Sequence, residues 1–153
     1  MRKNEIAVAI VPAASEDRDA VVELLAEQLA EHQIDTARAA ITHAVDGMLG
    51  DERRGFVLLA KEVDAAIGVA WVSFTWTVEH GGKTSWLEEL YILPDRRESG
   101  LGTRLLHAVL ERARASGCAA VDLEVESEHR RAANLYARHG FQAMSRARWV
   151  RKL

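Results

Sequence analysis

A chain of 153 residues with 48% hydrophobic content is long enough to bury one core and short for two, so a single domain over 1–153 is expected. A net charge of −3, with the basic residues scattered along the chain, lacks the electrostatic footprint of a nucleic-acid binder. The solitary Cys118, expected to be a small buried residue, excludes an internal disulfide, and no apolar run approaches the roughly 20 residues needed to cross a bilayer.

In chain order, Ile6 to Val11 predict a strand over 5–11, and Ala20, Val21, Leu24 and Leu25 a helix over 16–32. Met1-Arg2-Lys3 has the charge of a signal peptide's first segment, but Glu5 and Pro12 interrupt the apolar run, so a cytoplasmic chain is expected. Glu27, Glu31 and Asp35 stand four apart, as either a solvated face or an acidic wall that selects cations. A second helix over 36–49 is followed by strands over 56–62, 66–77 and 85–93, with Gly47 to Gly55 the expected exposed loop. A helix over 101–116, a strand over 119–125, a helix over 129–139 and a strand over 141–152 complete the chain. This order predicts an α/β fold with a mixed, mostly antiparallel sheet and helices on both faces.

The junction after the third of these middle strands carries the first chemical signal. Leu87 to Leu93 stop at Pro94-Asp95 and give way to Arg97-Glu98-Ser99-Gly100-Leu101-Gly102-Thr103 at the start of a helix. A helix N-terminus offers unpaired backbone N–H groups and partial positive charge, and glycines let a phosphate approach that backbone. Gly102 is followed by Thr103-Arg104 rather than Lys-Ser or Lys-Thr, and Leu105 stands where a dinucleotide fingerprint needs its third glycine. Both common nucleotide loops are thereby excluded.

The remaining pattern, Arg-x-x-Gly-x-Gly at a helix start, resembles the pyrophosphate loop of the GNAT superfamily of acetyl-CoA-dependent N-acetyltransferases. A second match is His129-Arg130-Arg131-Ala132-Ala133-Asn134-Leu135-Tyr136-Ala137-Arg138-His139-Gly140-Phe141, which is similar to the family's tyrosine-bearing helix ending in Gly-Phe. The N-terminal strand, Pro12 turn and first helix extend the resemblance over most of the chain, and Trp86-Leu87-Glu88-Glu89-Leu90-Tyr91-Ile92 is most similar to the diamine and polyamine branch. The resemblance implies a GNAT fold and acetyl-CoA as cosubstrate, held by residues 97–103 and by the backbone of Leu90, Tyr91 and Ile92. It makes Tyr136 the acid that protonates the leaving thiolate, although an amphipathic anchor would use the same residue. His129 replaces the family's first asparagine at the CoA arm, and Asn134 supplies part of that contact.

An amine attacks a thioester only when neutral, and a primary amine of pKa near 10.4 costs about 4.6 kcal/mol to deprotonate at pH 7. Strand alternation places Trp86, Glu88, Leu90 and Ile92 on one face and Leu87, Glu89, Tyr91 and Leu93 on the other. The resemblance aims Glu88 at the amine, as base through water or as anchor of its charge; Glu89 is expected in a solvated or salt-bridged role. The histidines lack metal-ligand spacing, so no metal is expected, and Trp71, Trp76 and Trp86 are expected in core or hairpin packing. The expected activity is acetyl transfer to the primary amine of a small, cationic acceptor such as a polyamine or amino acid, in a ternary complex. Acetylation of protein N-termini or lysines and a non-catalytic acyl-CoA-binding regulatory module are the alternatives, and the family often forms homodimers.

Overall fold

A computed structural model describes residues 7–153, which form two compact units, one ending at Leu123 and the other comprising Glu124–Leu153. Residues 5 and 6 of the first expected strand and the basic Met1-Arg2-Lys3 lie outside the described residues.

The first unit contains β1 (Val8–Pro12), α1 (Arg18–Glu31), α2 (Arg38–Leu49), β2 (Gly55–Glu62), β3 (Ala65–Thr77), β4 (Gly82–Ile92), α3 (Leu101–Ala115) and β5 (Val121–Leu123). The sheet has the order β1-β2-β3-β4-β5, antiparallel through β4, with β5 parallel to it. One sheet face, with Val57, Leu59, Val69, Trp71 and Tyr91, buries Val21, Val22, Leu24, Leu25, Ile41 and Val45 of α1 and α2. Leu101, Leu105, Leu106, Val109 and Ala113 form the buried stripe of α3, and Arg112 of that helix lies over the ring of Phe56, whose side chain alternates with Val57 onto the other face. The expected α/β layering, with helices on both faces, is thus present.

Several boundaries move. The expected loop over 47–55 shrinks: Gly47, Met48 and Leu49 finish α2, with Met48 buried, and Gly55 begins β2 in the sheet. A Cβ on Gly55 would lie 1.9 Å from the Val72 carbonyl oxygen, so the close approach of two strands requires glycine there. Trp71 is buried and Trp86 half-buried, and Trp76, although 82% exposed, lays its ring over Gly82 of the β3–β4 hairpin, where a Cβ would meet it at 3.6 Å. Cys118 is half-buried.

The second unit contains α4 (Arg130–Arg138). Gly140 adopts φ 86°, Gly140 N–H donates to the Ala137 carbonyl at 3.3 Å and Phe141 N–H to the Tyr136 carbonyl at 3.1 Å, the glycine-terminated helix end that the sequence predicts. The expected strand over 141–152 is absent. Period-two alternation makes a strand only where another strand completes its ladder, and within Glu124–Leu153 there is none. Among the described residues, no helix is long and apolar enough to cross a membrane.

Candidate active site

The glycine loop connects β4 to α3 through a short 3-10 turn, Pro94–Arg96. Gly100 caps α3 in the left-handed conformation, φ 76°, and no side chain caps the helix. A Cβ built on Gly100 or Gly102 would meet nothing within 4 Å, so the space over the first turn is open to a ligand. Leu101 is buried beneath it, while Glu98 and Ser99 are exposed; the Ser99 hydroxyl donates to the Arg96 carbonyl at 2.8 Å. These features fit a phosphate approaching backbone N–H groups and the helix dipole.

Arg97 faces inward. Its Nε donates to the Ile92 carbonyl at 2.9 Å, its two terminal nitrogens each donate to Glu31 at 2.8 Å, and its guanidinium lies 5.4 Å from the Tyr91 ring centroid. The loop's arginine therefore fixes the loop to α1 and β4, and the guanidinium holds the Glu31 carboxyl below the usual carboxylate range. Glu31 is a structural partner of the loop, neither simply solvated nor part of an acidic wall.

The strand before the loop departs from simple alternation. Val72 pairs with Leu87 and Trp71 with Glu89, leaving Glu88 as the extra residue of a β-bulge. Directly opposed residues share a face, so Leu87 lies with Val72 on one side and Glu89 with Trp71 on the side of α1 and α2. The expectation that Leu87 and Glu89 point the same way fails because the bulge resets the phase. On β4's other edge the parallel ladder to β5 ends at Leu87↔Leu123. Among the described residues no strand pairs with that edge over Glu88, Glu89, Leu90, Tyr91 and Ile92; the Ile92 carbonyl is taken by Arg97, and the outward backbone groups before it have no strand partner. The Tyr91 side chain is buried among the core residues on the α1 face, so any contact it makes from that edge is through its backbone.

The two carboxylates differ sharply. Glu88 is exposed and accepts a hydrogen bond from the Ser73 hydroxyl. Glu89 is half-buried and accepts one from Gln28 of α1; burial, with the neighbouring charge of Glu88, pushes its carboxyl up to about 7. The Oε1 of buried Gln28 has no hydrogen-bond partner. Ser73 and Trp71 line an open cleft of about 560 Å³ whose other wall comprises His43, Asp46, Gly47, Met48 and Arg54. A carboxyl able to hold or release a proton near neutrality thus stands across the ladder from a cleft residue. The sequence shows two adjacent glutamates, but the bulge and Gln28, which set Glu89 apart, have no local signal.

In the second unit, Tyr136 lies half-buried on α4 with its ring edge-to-face on Phe141, centroids 5.5 Å apart. His129 is the residue before the helix, 3.7 Å from Glu126, and Asn134 is exposed on it.

Residues 18–141 match the acetyltransferase (GNAT) family. Thialysine N-epsilon-acetyltransferase of Mus musculus is 35% identical over 71 residues, covering 46% of this chain and 39% of that protein. L-methionine sulfoximine/L-methionine sulfone acetyltransferase of Pseudomonas aeruginosa is 31% identical over 91 residues, covering 59% of this chain and 53% of that protein. The chain therefore spans less than two thirds of the length of these relatives. The structure of an aminoglycoside N-acetyltransferase in complex with CoA superposes with a TM-score of 0.83 over 99% of both chains at 18% identity, a likeness of fold.

Proposed function

The chain belongs to the acetyltransferase (GNAT) family, and on that premise we propose that it transfers an acetyl group from acetyl-CoA directly to a primary amine of a small acceptor. One observation carries this reading: an uncapped, glycine-lined helix N-terminus directly follows a bulged strand whose outer edge is unladdered. The backbone N–H groups of Leu101, Gly102 and Thr103 donate to the pyrophosphate, and the unladdered edge of Glu88 to Ile92 holds the pantetheine arm. His129 and Asn134 contribute further contacts to CoA. The cosubstrate supplies the acetyl thioester; the chain supplies proton handling and position.

Glu88 anchors the acceptor's ammonium at the Ser73 end of the cleft. Glu89 takes the proton. Moving a proton from an amine of pKa near 10.4 to an ordinary glutamate near 4.5 is uphill by about 8 kcal/mol, and to a carboxyl near 7 by about 4.6 kcal/mol, so the raised value of Glu89 removes a large part of the climb. Tyr136 holds a proton at its phenolic oxygen for the departing sulfur, a role supported by its place in the matching helix motif. The test is release of CoA thiol across polyamines, amino acids, aminoglycosides and lysine peptides. Failure to bind acetyl-CoA, or to turn over any amine, would overturn the assignment.

A further inference from the structure

The cleft beside Glu88 has a second, opposite charge. Arg54 lines it, and its Nη1 donates to the carbonyl of Gly47 at 2.9 Å, which draws the guanidinium across the last turn of α2. Gly47 is an interior residue of that helix, where glycine is unfavourable relative to alanine, and a Cβ there would lie 2.6 Å from Arg54 Nη1. A side chain at 47 would therefore displace the guanidinium from its present place, a shift that the flexible arginine can make. The backbone of Arg54 is fixed as well, because its carbonyl accepts from Phe74 N–H at 2.7 Å and the next residue, Gly55, pairs with Ser73.

The nearby carboxylates are already committed. Asp46 in the cleft wall accepts two hydrogen bonds from Arg18. Asp51 accepts two from the side chain of Arg53, at 2.8 and 2.9 Å, and its carboxylate makes only a longer ion pair with Arg54, 3.7 Å from Nε, while the Arg54 backbone N–H donates to the Asp51 carbonyl at 3.0 Å. Arg54 keeps a 60% exposed side chain in the cleft, and Ser73, also in its lining, donates a hydrogen bond to the exposed Glu88 beside it. Such a cleft complements a molecule with a cation at one end and a carboxylate at the other, and it places a guanidinium against the second ammonium of a diamine.

Resting on the N-acetyltransferase reading above, we propose that the acceptor is an amino acid, its amine directed to Glu88 and its carboxylate bound by Arg54. Arg54 is then a specificity-determining residue, and Gly47 the position that seats it.

The test uses matched acceptors that differ by the carboxylate alone: lysine against cadaverine, and ornithine against putrescine, with CoA release as the signal. Wild-type kcat/KM should favour the amino acid by at least about tenfold, and Arg54→Gln should collapse that ratio chiefly through KM. Gly47→Ala should lower the same ratio while melting no lower than wild type, since alanine suits a helix interior. Equal proportional losses for both members of a pair, as a purely structural role for Arg54 would give, or a wild-type preference for the diamines, would overturn the proposal and leave the acetyl-transfer reading standing. Absence of turnover with every amine would remove both.

Discussion

Replacing Glu89 by glutamine should stabilise the folded protein above neutral pH and leave it nearly unchanged near pH 5. The carboxyl is raised from 4.5 to about 7, first by burial and then by the charge of Glu88. Between those values the folded chain retains a proton that the unfolded chain has released, so this group's contribution to stability falls as pH rises through that window and is constant above it. At roughly 1.4 kcal/mol per pH unit the full displacement corresponds to about 3 kcal/mol, and solvent on the exposed side of the carboxyl reduces this to about 1 to 2 kcal/mol. Glutamine keeps an acceptor for the Gln28 amide and adds a donor for its unpartnered Oε1. In thermal or urea unfolding, the variant should exceed wild type by about 1 to 2 kcal/mol at pH 8, roughly 3 to 6 °C for a chain of this size. A difference that does not change between pH 5 and pH 8, or a variant less stable at pH 8, would refute the environment assigned to Glu89.

Kinetics should separate the two carboxylates: Glu89→Gln should lower turnover at pH 7 by at least about tenfold with partial recovery at pH 9 to 10, where more amine is already neutral, whereas Glu88→Gln should act mainly on the acceptor KM. A pH-independent loss at Glu89 would exclude it as the proton acceptor. Gly102→Val should weaken acetyl-CoA binding strongly in calorimetry without unfolding the chain, because its side chain enters open space over the first turn of α3; unchanged affinity in a folded variant would remove the phosphate site. Tyr136→Phe keeps the ring against Phe141 and should lower turnover by roughly 10 to 1000-fold with little change in acetyl-CoA affinity, since a thiol near pKa 8.5 is a passable leaving group without an acid. Wild-type rates across the pH range would exclude that role.

Elements whose causes are local were legible from the chain. The apolar stripe of α3, the turn into it at Gly100 and the glycine stop after α4 depend on side-chain spacing and on backbone conformations that favour glycine. Non-local causes were not. The inward turn of Arg97 depends on Glu31, distant in sequence, and the raised proton affinity of Glu89 on its burial in the layer between sheet and helix, which the hydrogen bond from Gln28 only partly offsets. Residues 141–152 have a strand's alternation, but pairing decides strand formation, and alternation is blind to pairing.

The extra residue in β4 gives the strand a peculiar vulnerability. Leu87 and Glu89 already lie on opposite faces, so a chain shortened by Glu88 alone would keep each remaining β4 side chain on its present side and would gain an uninterrupted ladder with β3. That shortened strand would have lost the carboxylate proposed to anchor the acceptor, together with the bulge itself. A chain lacking that one residue should therefore melt as well as this one and lose the proposed acceptor anchor, so a deletion there separates the fold from the proposed function more cleanly than a substitution does.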